Sequence, residues 1–443
     1  MKFFTKIGLI LFFIIQLSQF VNAQNNAVAL SFTNNIISYF KTQQFDSIFN
    51  LQNADMKRKI DANDYETMWS NFIENHDSLA SVGETKVTKK DSLWVTVTKI
   101  SFVKKDYNLK LTINNKNQLS GIFFINIKTN HTPPGYINTL LFFEIKLNVP
   151  TKGIESEGML SIPKGNNKHP LVIIVGGSGP TDKDGTIGAN KPYKDLAWAL
   201  AAKGIAVYRY DKRTANSSNL KGVKTNEFTM EQEYLIDLKN IVNALSKDKR
   251  LDAKKIFIAG HSQGGFMIPY FKMNLPKVAG FIGLAANYQT IAEIIPSQLE
   301  YLSALNNDSA TLAAYAPLIA KANYTKNHLY DKQINTDSLF PGLTIAFLRH
   351  MDKYKPDNIA EVLNKKPVLF IQGSRDCQVT PTELNLWKNK LKNACCATYI
   401  QFEKLNHMLL AGEGKSTPNE YNVPNNVPEY VATEIANWVK KQQ

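Results

Sequence analysis

The 443-residue sequence contains only three cysteines, Cys377, Cys395 and Cys396. Three cysteines, two of them adjacent, cannot form a disulfide framework, and no spacing of cysteines and histidines matches a zinc site. The fold must therefore be stabilised by packing, and catalysis must use neither thiol chemistry nor a metal cage. We expect no metal and no cofactor.

Beyond its first residues, the sequence lacks an apolar run long enough to span a bilayer. At the N-terminus, Lys2 and Lys6 precede the apolar run Ile7–Leu17, and Val21-Asn22-Ala23 matches a small-residue cleavage site. We therefore predict a signal peptide over residues 1–23, cleaved near Ala23, and an exported protein (periplasmic or secreted) without a stable membrane anchor. An uncleaved anchor is the alternative, but the run is short against the about 20 residues of a spanning helix.

Acidic residues are outnumbered, at 38 against 52 lysines and arginines, which gives a formal net charge of +14. The basic clusters, such as Lys57-Arg58-Lys59 and Lys89-Lys90, are scattered among acids and do not form a stripe with aromatic residues. Solvated protein faces explain such clusters better than nucleic-acid binding does. We expect no nucleic-acid partner, and nothing in the sequence indicates an oligomeric state.

The length of the chain and its 44% apolar content predict two globular domains. Residues 24–130 are predicted to form a small N-terminal α+β domain, because helical spacing over Ala27–Phe40 gives way to strand-like patterns. The segment Thr129–Tyr136 contains Pro133-Pro134-Gly135 and has the composition of a linker. The predicted strands cover Leu93–Thr98, Tyr107–Leu111 and Gly121–Ile127.

Strand and helix patterns alternate over residues 131–443, which predicts an α/β domain with a mostly parallel sheet. About eighty residues separate the strands ending at Leu284 and beginning at Pro367. Connections in such folds are usually about 2 to 6 residues long, so a cap inserted over about 287–362 is expected. The predicted parallel strands are Leu171–Val175, Ile205–Asp211, Ile256–Ala259, Val278–Leu284, Pro367–Ile371 and Thr398–Phe402.

Two glycine-rich segments follow buried strands. In Gly260-His261-Ser262-Gln263-Gly264, an apolar strand passes into a predicted helix, which is typical of the strand-to-helix turn that exposes a nucleophilic serine. In Gly176–Pro180, glycines allow a backbone N–H to approach a substrate oxygen. The alternative for both segments is an ordinary glycine turn.

A nucleophilic Ser262 needs a base, and the base needs an acid that fixes its tautomer. In this kind of fold the expected chain order is Ser, Asp, His. Asp376 lies just past the strand that ends near Ile371, and His407 follows the strand Thr398–Phe402. The other histidines occupy less suitable positions, namely His76, His131, His169, His261, His328 and His350.

Residues 131–443 resemble the α/β-hydrolase superfamily in these motifs. With Asp182-Lys183-Asp184-Gly185 and Tyr210-Asp211-Lys212-Arg213, the chain is similar to EstD-type carboxylesterases, which carry a small N-terminal domain. That domain's layout is similar to nuclear-transport-factor-like folds. Two departures are Thr214, where such sequences often have glycine, and Pro269 in the helix after Ser262.

The resemblance implies a serine esterase that cleaves small-molecule esters of short to medium acyl chains. It assigns Ser262 as nucleophile, His407 as base and Asp376 as the orienting acid, with the backbone N–H groups of Gln263 and Ser178 as the oxyanion hole. Two alternatives remain open. One is a peptidase of the prolyl-aminopeptidase or acylaminoacyl type, since Gln-Gly-Gly follows Ser262. The other is a binding protein on a hydrolase scaffold.

Overall fold

The computed structural model describes residues 26–442, apart from residues 104, 128–130, 152, 155, 221–222, 225–226, 307–308, 333 and 335–342. The predicted signal peptide, residues 1–23, lies outside the described residues. The chain divides into two compact units between residues 129 and 130. None of the described helices has the length and apolar character needed to cross a bilayer.

The first unit combines helices with an antiparallel sheet, as the α+β prediction requires. Helix α1 covers residues 26–41, and the four strands are hydrogen-bonded in the order β1-β2-β3-β4. Phe40 of α1 stacks on Trp69 of α4 with ring centroids 5.0 Å apart, in a core that the sheet closes with Leu109 and Leu111. The other elements are α2 (Phe45–Asn50), α3 (Ala54–Lys57), α4 (Ala62–His76), β1 (Leu79–Lys90), β2 (Leu93–Phe102), β3 (Asp106–Ile113) and β4 (Leu119–Asn126).

The second unit is built on an eight-stranded sheet in the order β12-β11-β10-β9-β7-β8-β6-β5. Strand β6 is antiparallel to both of its neighbours, and β8, β7, β9, β10, β11 and β12 form a continuous parallel sheet. This arrangement confirms the predicted α/β-hydrolase fold. The strands are β5 (Phe142–Lys146), β6 (Gly158–Pro163), β7 (His169–Val175), β8 (Ala206–Tyr210), β9 (Leu251–His261), β10 (Gly280–Leu284), β11 (Val368–Gly373) and β12 (Ala397–Phe402).

Helices cover both faces of this sheet, because successive strand residues point to opposite sides and both sides are apolar. In β7, Ile173 packs into one core with Phe266 and Trp387, whereas Ile174 packs into the other with Leu200. The helices are α5 (Pro192–Ala202), α6 (Ile236–Leu245), α7 (Gln263–Phe266), α8 (Ile268–Asn274), α13 (Pro381–Lys390) and α14 (Glu429–Lys441).

Between β10 and β11 the chain forms further helices in the segment where the sequence predicts a cap. Helices α9 and α10 pack on each other through Ile295, Leu299 and Ala322. These elements are α9 (Ile291–Asn306), α10 (Ser309–His328), α11 (Ile345–Lys353), α12 (Pro356–Ile359) and a 3-10 turn (Ala360–Leu363).

Pro269 falls where the helix after Ser262 is interrupted. Helix α7 ends at Phe266, Met267 forms a turn, and α8 begins at Ile268, so that Pro269 lies in the first turn of α8. A proline there removes no helical hydrogen bond, because the first N–H groups of a helix have no partner within it. Pro269 thus coincides with the division of the helix after Ser262 into α7 and α8.

Candidate active site

Ser262 lies at the turn between β9 and α7 with φ 53° and ψ −122°. Such a conformation is costly for a residue with a side chain, and it is held here by close backbone packing. A Cβ on Gly260 would lie 2.1 Å from the Gly264 carbonyl oxygen, and one on Gly264 would lie 2.7 Å from the Gly176 oxygen. Only glycine fits at these two positions, which explains the glycine-flanked serine of the sequence.

Asp376 and His407 are joined by a hydrogen bond of 2.9 Å between Asp376 Oδ2 and His407 Nδ1. Both side chains are buried. The carboxylate also accepts the Gln372 amide at 3.0 Å and the backbone N–H groups of Gln378 and Val379 at 2.9 and 2.8 Å. Because an ionised carboxylate only accepts hydrogen bonds, Nδ1 carries the proton and Nε2 of His407 has a free lone pair.

His261 holds the backbone of His407 through a hydrogen bond. Its Nε2 donates to the His407 carbonyl oxygen at 2.9 Å, and its Nδ1 accepts the Tyr193 hydroxyl at 2.9 Å. Burial, with the nearby His407 as a second cause, lowers the pKa of His261 from its usual 6.5 to about 3. His261 is therefore neutral at working pH, and one tautomer satisfies both of its hydrogen bonds.

Two residues close to Ser262 have unpaired backbone N–H groups: Gln263 follows Ser262 in the chain, and Ser178 lines a cavity with it. Within the described part of the chain, neither the Ser178 N–H nor the Gln263 N–H is donated to an acceptor. Gln263 is the first residue of α7, where helix geometry leaves an N–H unpaired. A Cβ on Gly177 would lie 3.0 Å from Ser262 Cβ, so the Gly176–Pro180 segment approaches the serine closely.

Ser262 and His407 line the same small cavity of about 210 Å³, together with Gly177, Ser178 and Gln378. The described residues show no hydrogen bond between the Ser262 hydroxyl and the His407 ring. Such contacts are often long in ligand-free enzymes and tighten when substrate binds. The structure thus brings Ser262, His407, Asp376 and Ser178 together at the carboxyl ends of the central strands.

A second, larger cavity of about 650 Å³ shares Ser178 and Pro180 with the smaller one, since these two residues line both cavities. Its wall is mostly apolar and comes from the cap and from the loops after β7 and β8. Thr214, the departure noted in the sequence, lines it and donates to the Gly179 carbonyl oxygen at 3.2 Å. The apolar residues of the wall are Pro180, Leu220, Val223, Phe228, Ile291, Ile295, Leu343 and Phe347.

Sequence reasoning missed the supporting residues of the site. In the sequence, His261 lies inside the turn and gives no sign of a supporting role, and Lys212 stands out only as part of the motif Tyr210-Asp211-Lys212-Arg213. Glu233 and Tyr234 were not singled out, although both are buried near the site. The available signal was a run of charges, Asp211-Lys212-Arg213, directly after a buried strand, where strand ends of a parallel sheet form ligand sites.

The family model described as serine aminopeptidase, S33, matches residues 184–414 of this chain. The chain belongs to this family. The match runs from Asp184 past His407 and includes Ser262, Asp376 and the cap, and it confirms the expectation of an enzyme of the α/β-hydrolase superfamily. A second model, described as a protein of unknown function (DUF3887), matches residues 33–122 of the first unit.

Among individual relatives, this S33 family member is 29% identical to esterase EstD of Thermotoga maritima over 410 residues, which cover 91% of this chain and 94% of that one. In structure it is similar to the Pyrococcus furiosus esterase Pf2001, with 14% identity, a TM-score of 0.41 and coverage of 70% and 99% of the two chains. A puromycin-hydrolyzing peptidase of Mycobacterium tuberculosis matches with 12% identity, a TM-score of 0.44 and coverage of 80% and 46%.

Proposed function

We propose that this chain is a serine esterase in which Ser262 is the nucleophile, His407 the base, Asp376 the orienting acid, and the N–H groups of Ser178 and Gln263 the oxyanion hole. One observation carries the proposal. Ser262 and the Asp376-paired His407 share a cavity whose wall includes Ser178, the donor of one unpaired N–H. A hydroxyl, an oriented imidazole and free donors are the groups that acyl transfer requires.

In the proposed mechanism, His407 Nε2 takes the hydroxyl proton as Ser262 Oγ attacks the ester carbonyl. The Ser178 and Gln263 N–H groups stabilise the oxyanion of the tetrahedral intermediate. His407 then gives its proton to the departing alcohol, which leaves an acyl-enzyme on Ser262. Water, activated by the same imidazole, attacks the acyl-enzyme and releases the acid.

The larger cavity is the proposed acyl site. It adjoins both oxyanion donors, since Ser178 and Gln263 line it. A volume of about 650 Å³ with an apolar wall suits an alkyl chain, and it falls in the usual range of small-molecule sites, about 300 to 1,000 Å³. These features support a substrate whose short to medium acyl chain binds in the larger cavity and whose alcohol part binds in the smaller one.

The family description and Gln263-Gly264-Gly265 after Ser262 keep an aminopeptidase as the second candidate. An aminopeptidase needs a carboxylate for the substrate's ammonium group. The only carboxylate among the described residues of the larger cavity is Glu233, whose Oε1 lies 2.6 Å from the Lys212 ammonium. Because this charge is already paired, the site favours an uncharged ester over a peptide with a free N-terminus.

A substrate panel distinguishes these functions. We expect p-nitrophenyl esters of two to twelve acyl carbons to be cleaved faster than aminoacyl p-nitroanilides, and a fluorophosphonate to label one serine, identified as Ser262 by peptide mass. Ser262→Ala should abolish both signals. Ser246→Ala, at a half-buried serine directly after α6 that lines neither cavity, is the matched control and should behave as the wild type. Faster anilide cleavage would favour the aminopeptidase, and an unlabelled wild type would favour the binding protein.

Export is also part of the proposal. It is supported by the two lysines, the apolar run Ile7–Leu17 and the small residues before Gln24. N-terminal sequencing of the protein recovered outside the cytoplasm should begin at or near Gln24. Recovery in the membrane fraction with Met1 present would instead indicate an uncleaved anchor.

A further inference from the structure

The Gly177 carbonyl oxygen is the focus of a buried network that the proposed mechanism does not use. It accepts hydrogen bonds from Lys212 Nζ at 2.6 Å and from the Tyr234 hydroxyl at 2.8 Å. Lys212 and Tyr234 are among the most completely buried side chains of the described residues. A backbone carbonyl with two strong donors, one of them charged, cannot rotate without leaving a buried ammonium group unsatisfied.

The orientation of this carbonyl fixes the N–H of the next residue. The Gly177–Ser178 peptide is trans, and in a planar trans peptide the C=O and N–H bonds point in opposite directions. With the Gly177 oxygen held toward Lys212 and Tyr234, the Ser178 N–H must point away from them. That N–H has no acceptor within the described part of the chain, and Ser178 lines both cavities.

A buried lysine is costly unless its charge is paired and its three protons are donated. All three have acceptors here, since Lys212 Nζ also lies 2.6 Å from Glu233 Oε1 and 2.9 Å from the Tyr234 hydroxyl. The ammonium also lies 4.2 Å from the centre of the Tyr234 ring. Burial lowers the pKa of Lys212, and the charge of Glu233 opposes that shift.

Two consecutive residues, Glu233 and Tyr234, both contact the Lys212 ammonium, and the local helix geometry makes this possible. Glu233 and Tyr234 belong to a π-helical turn, Glu231–Leu235, that precedes α6. Adjacent residues of an α-helix diverge by about 100°, and a π-type turn changes this spacing, a feature that recurs at functional sites. Helix α6, which continues from this turn, is also tied to the loop after β8, because Arg213 donates to both carboxylate oxygens of Asp237.

We propose that Lys212 and Tyr234 are positioning residues of the oxyanion hole: by holding the Gly177 carbonyl, they aim the Ser178 N–H at the oxygen that becomes negative in the transition state. The inference rests on the proposed function of Ser262 and Ser178. Neither side chain needs to touch the substrate, because both act through the Gly177–Ser178 peptide. Their removal should therefore weaken binding of the transition state and leave binding of the ester itself unchanged.

The test uses the full chain with Tyr234→Phe, and with Lys212→Met combined with Glu233→Gln so that no unpaired charge stays buried. Loss of an oxyanion donor lowers kcat by about 10²–10³-fold. Loosening a donor should cost less, so we expect kcat to fall by about 10-fold in Tyr234→Phe and by about 100-fold in the double variant. The KM of Tyr234→Phe should stay within about twofold of wild type, because Tyr234, unlike Glu233, lines neither cavity. Affinity for an alkyl trifluoromethyl ketone, which adds to Ser262 as a tetrahedral oxyanion, should fall by the same factors as kcat/KM.

Tyr208→Phe is the matched control. Its hydroxyl is also buried and donates to a backbone carbonyl, that of Leu147 at 2.9 Å, which lies outside both cavities. This control should keep the kcat and the ketone affinity of the wild type. If both Tyr234→Phe and the double variant bind the ketone as tightly as the wild type does, the inference is overturned and the proposed function is not affected. A wild type that neither hydrolyses esters nor binds the ketone would overturn the proposed function, and the inference with it. Equal losses of kcat in Tyr208→Phe and Tyr234→Phe would reduce the effect to general destabilisation and overturn the inference.

Discussion

Asp376 Oδ2 accepts a hydrogen bond from His407 Nδ1 at 2.9 Å while the same carboxylate receives three more donors. Four donors leave the carboxylate no other orientation, so the imidazole that it holds has one tautomer and one direction. The surface pair His328 and Asp331 has nearly the same separation, 2.8 Å, but is exposed. Asp–His pairs of similar length therefore occur both at the surface and in the buried site, so the distance alone does not identify the candidate catalytic pair.

Asp376→Asn should lower kcat by up to about 10⁴-fold, because an amide can stabilise the wrong tautomer of His407. KM should change little, since the carboxylate does not line either cavity. Steady-state hydrolysis of a p-nitrophenyl ester measures both constants. Asp331→Asn, in the exposed pair, should have no effect. Near-full activity of Asp376→Asn would mean that another carboxylate orients the base.

Ser262→Gly should stabilise the fold relative to Ser262→Ala, although both variants lack activity. The positive φ of 53° strains alanine as it strains serine, but it does not strain glycine. Relief of about 1–3 kcal/mol, reduced by the greater chain entropy of unfolded glycine, predicts a net difference of about 1 kcal/mol. Urea unfolding of the two variants gives this difference. Equal stabilities would indicate that the turn carries no strain.

His261 should make the fold sensitive to acid. Its pKa is about 3 in the folded chain, against 6.5 as the usual value. The unfolded chain therefore binds a proton that the folded chain does not, and stability contributed by the neutral ring is lost as the pH falls from 6.5 toward 3. The slope from this one group approaches about 1.4 kcal/mol per pH unit. In urea unfolding between pH 4 and 8, His261→Gln should lose stability less steeply on acidification than the wild type. Parallel curves would contradict the assignment.

The larger cavity should set the acyl-chain preference. Phe347→Ala should enlarge this cavity on the side of α11, and Ile291→Phe should make it smaller on the side of α9. Each additional methylene that finds room contributes about 0.8 kcal/mol, or about fourfold in kcat/KM. Across a series of p-nitrophenyl esters, the optimum should move to longer chains in the first variant and to shorter chains in the second. Shifts in the same direction would show that the acyl chain binds elsewhere.

The central strands could be predicted from the sequence because both of their faces are buried. Val172, Ile173 and Ile174 form an uninterrupted apolar run for this reason, and the residues after each strand end are then candidates for the site. Ser262, Asp376 and His407 are candidates for this reason. Their order along the chain restricts where they can meet, so few alternatives remained.

The first unit was harder to predict where its elements are exposed. Strand β1 (Leu79–Lys90) has no fully buried residue and little alternation, because β2 covers only one of its edges and its side chains are largely solvated. Among the described side chains of helix α4, only Tyr65 and Trp69 are fully buried; they lie one turn apart, which is too little for a periodic signal. The start of α4 does have a sequence signal, because Asp61 and Asp64 form a reciprocal cap there.

The supporting residues of the site depend on tertiary geometry that no local pattern carries. Lys212 follows β8 and Tyr234 lies in a π-helical turn, and their common target is a carbonyl after β7. A lysine in a charged motif is usually solvated, so the sequence favours the wrong environment for this one. Only the folded chain shows that its ammonium is enclosed.

The position of Ser178 and Pro180 on the wall of both cavities has a kinetic consequence. In the proposed mechanism, an ester that spans them leaves its two products in separate compartments, so the alcohol would depart while the acyl group stays attached to Ser262. The vacated compartment is then open to water or to another small alcohol. The proposed acyl-enzyme would thus be partitioned between hydrolysis and transesterification, and the size of the smaller compartment would determine which acceptors compete.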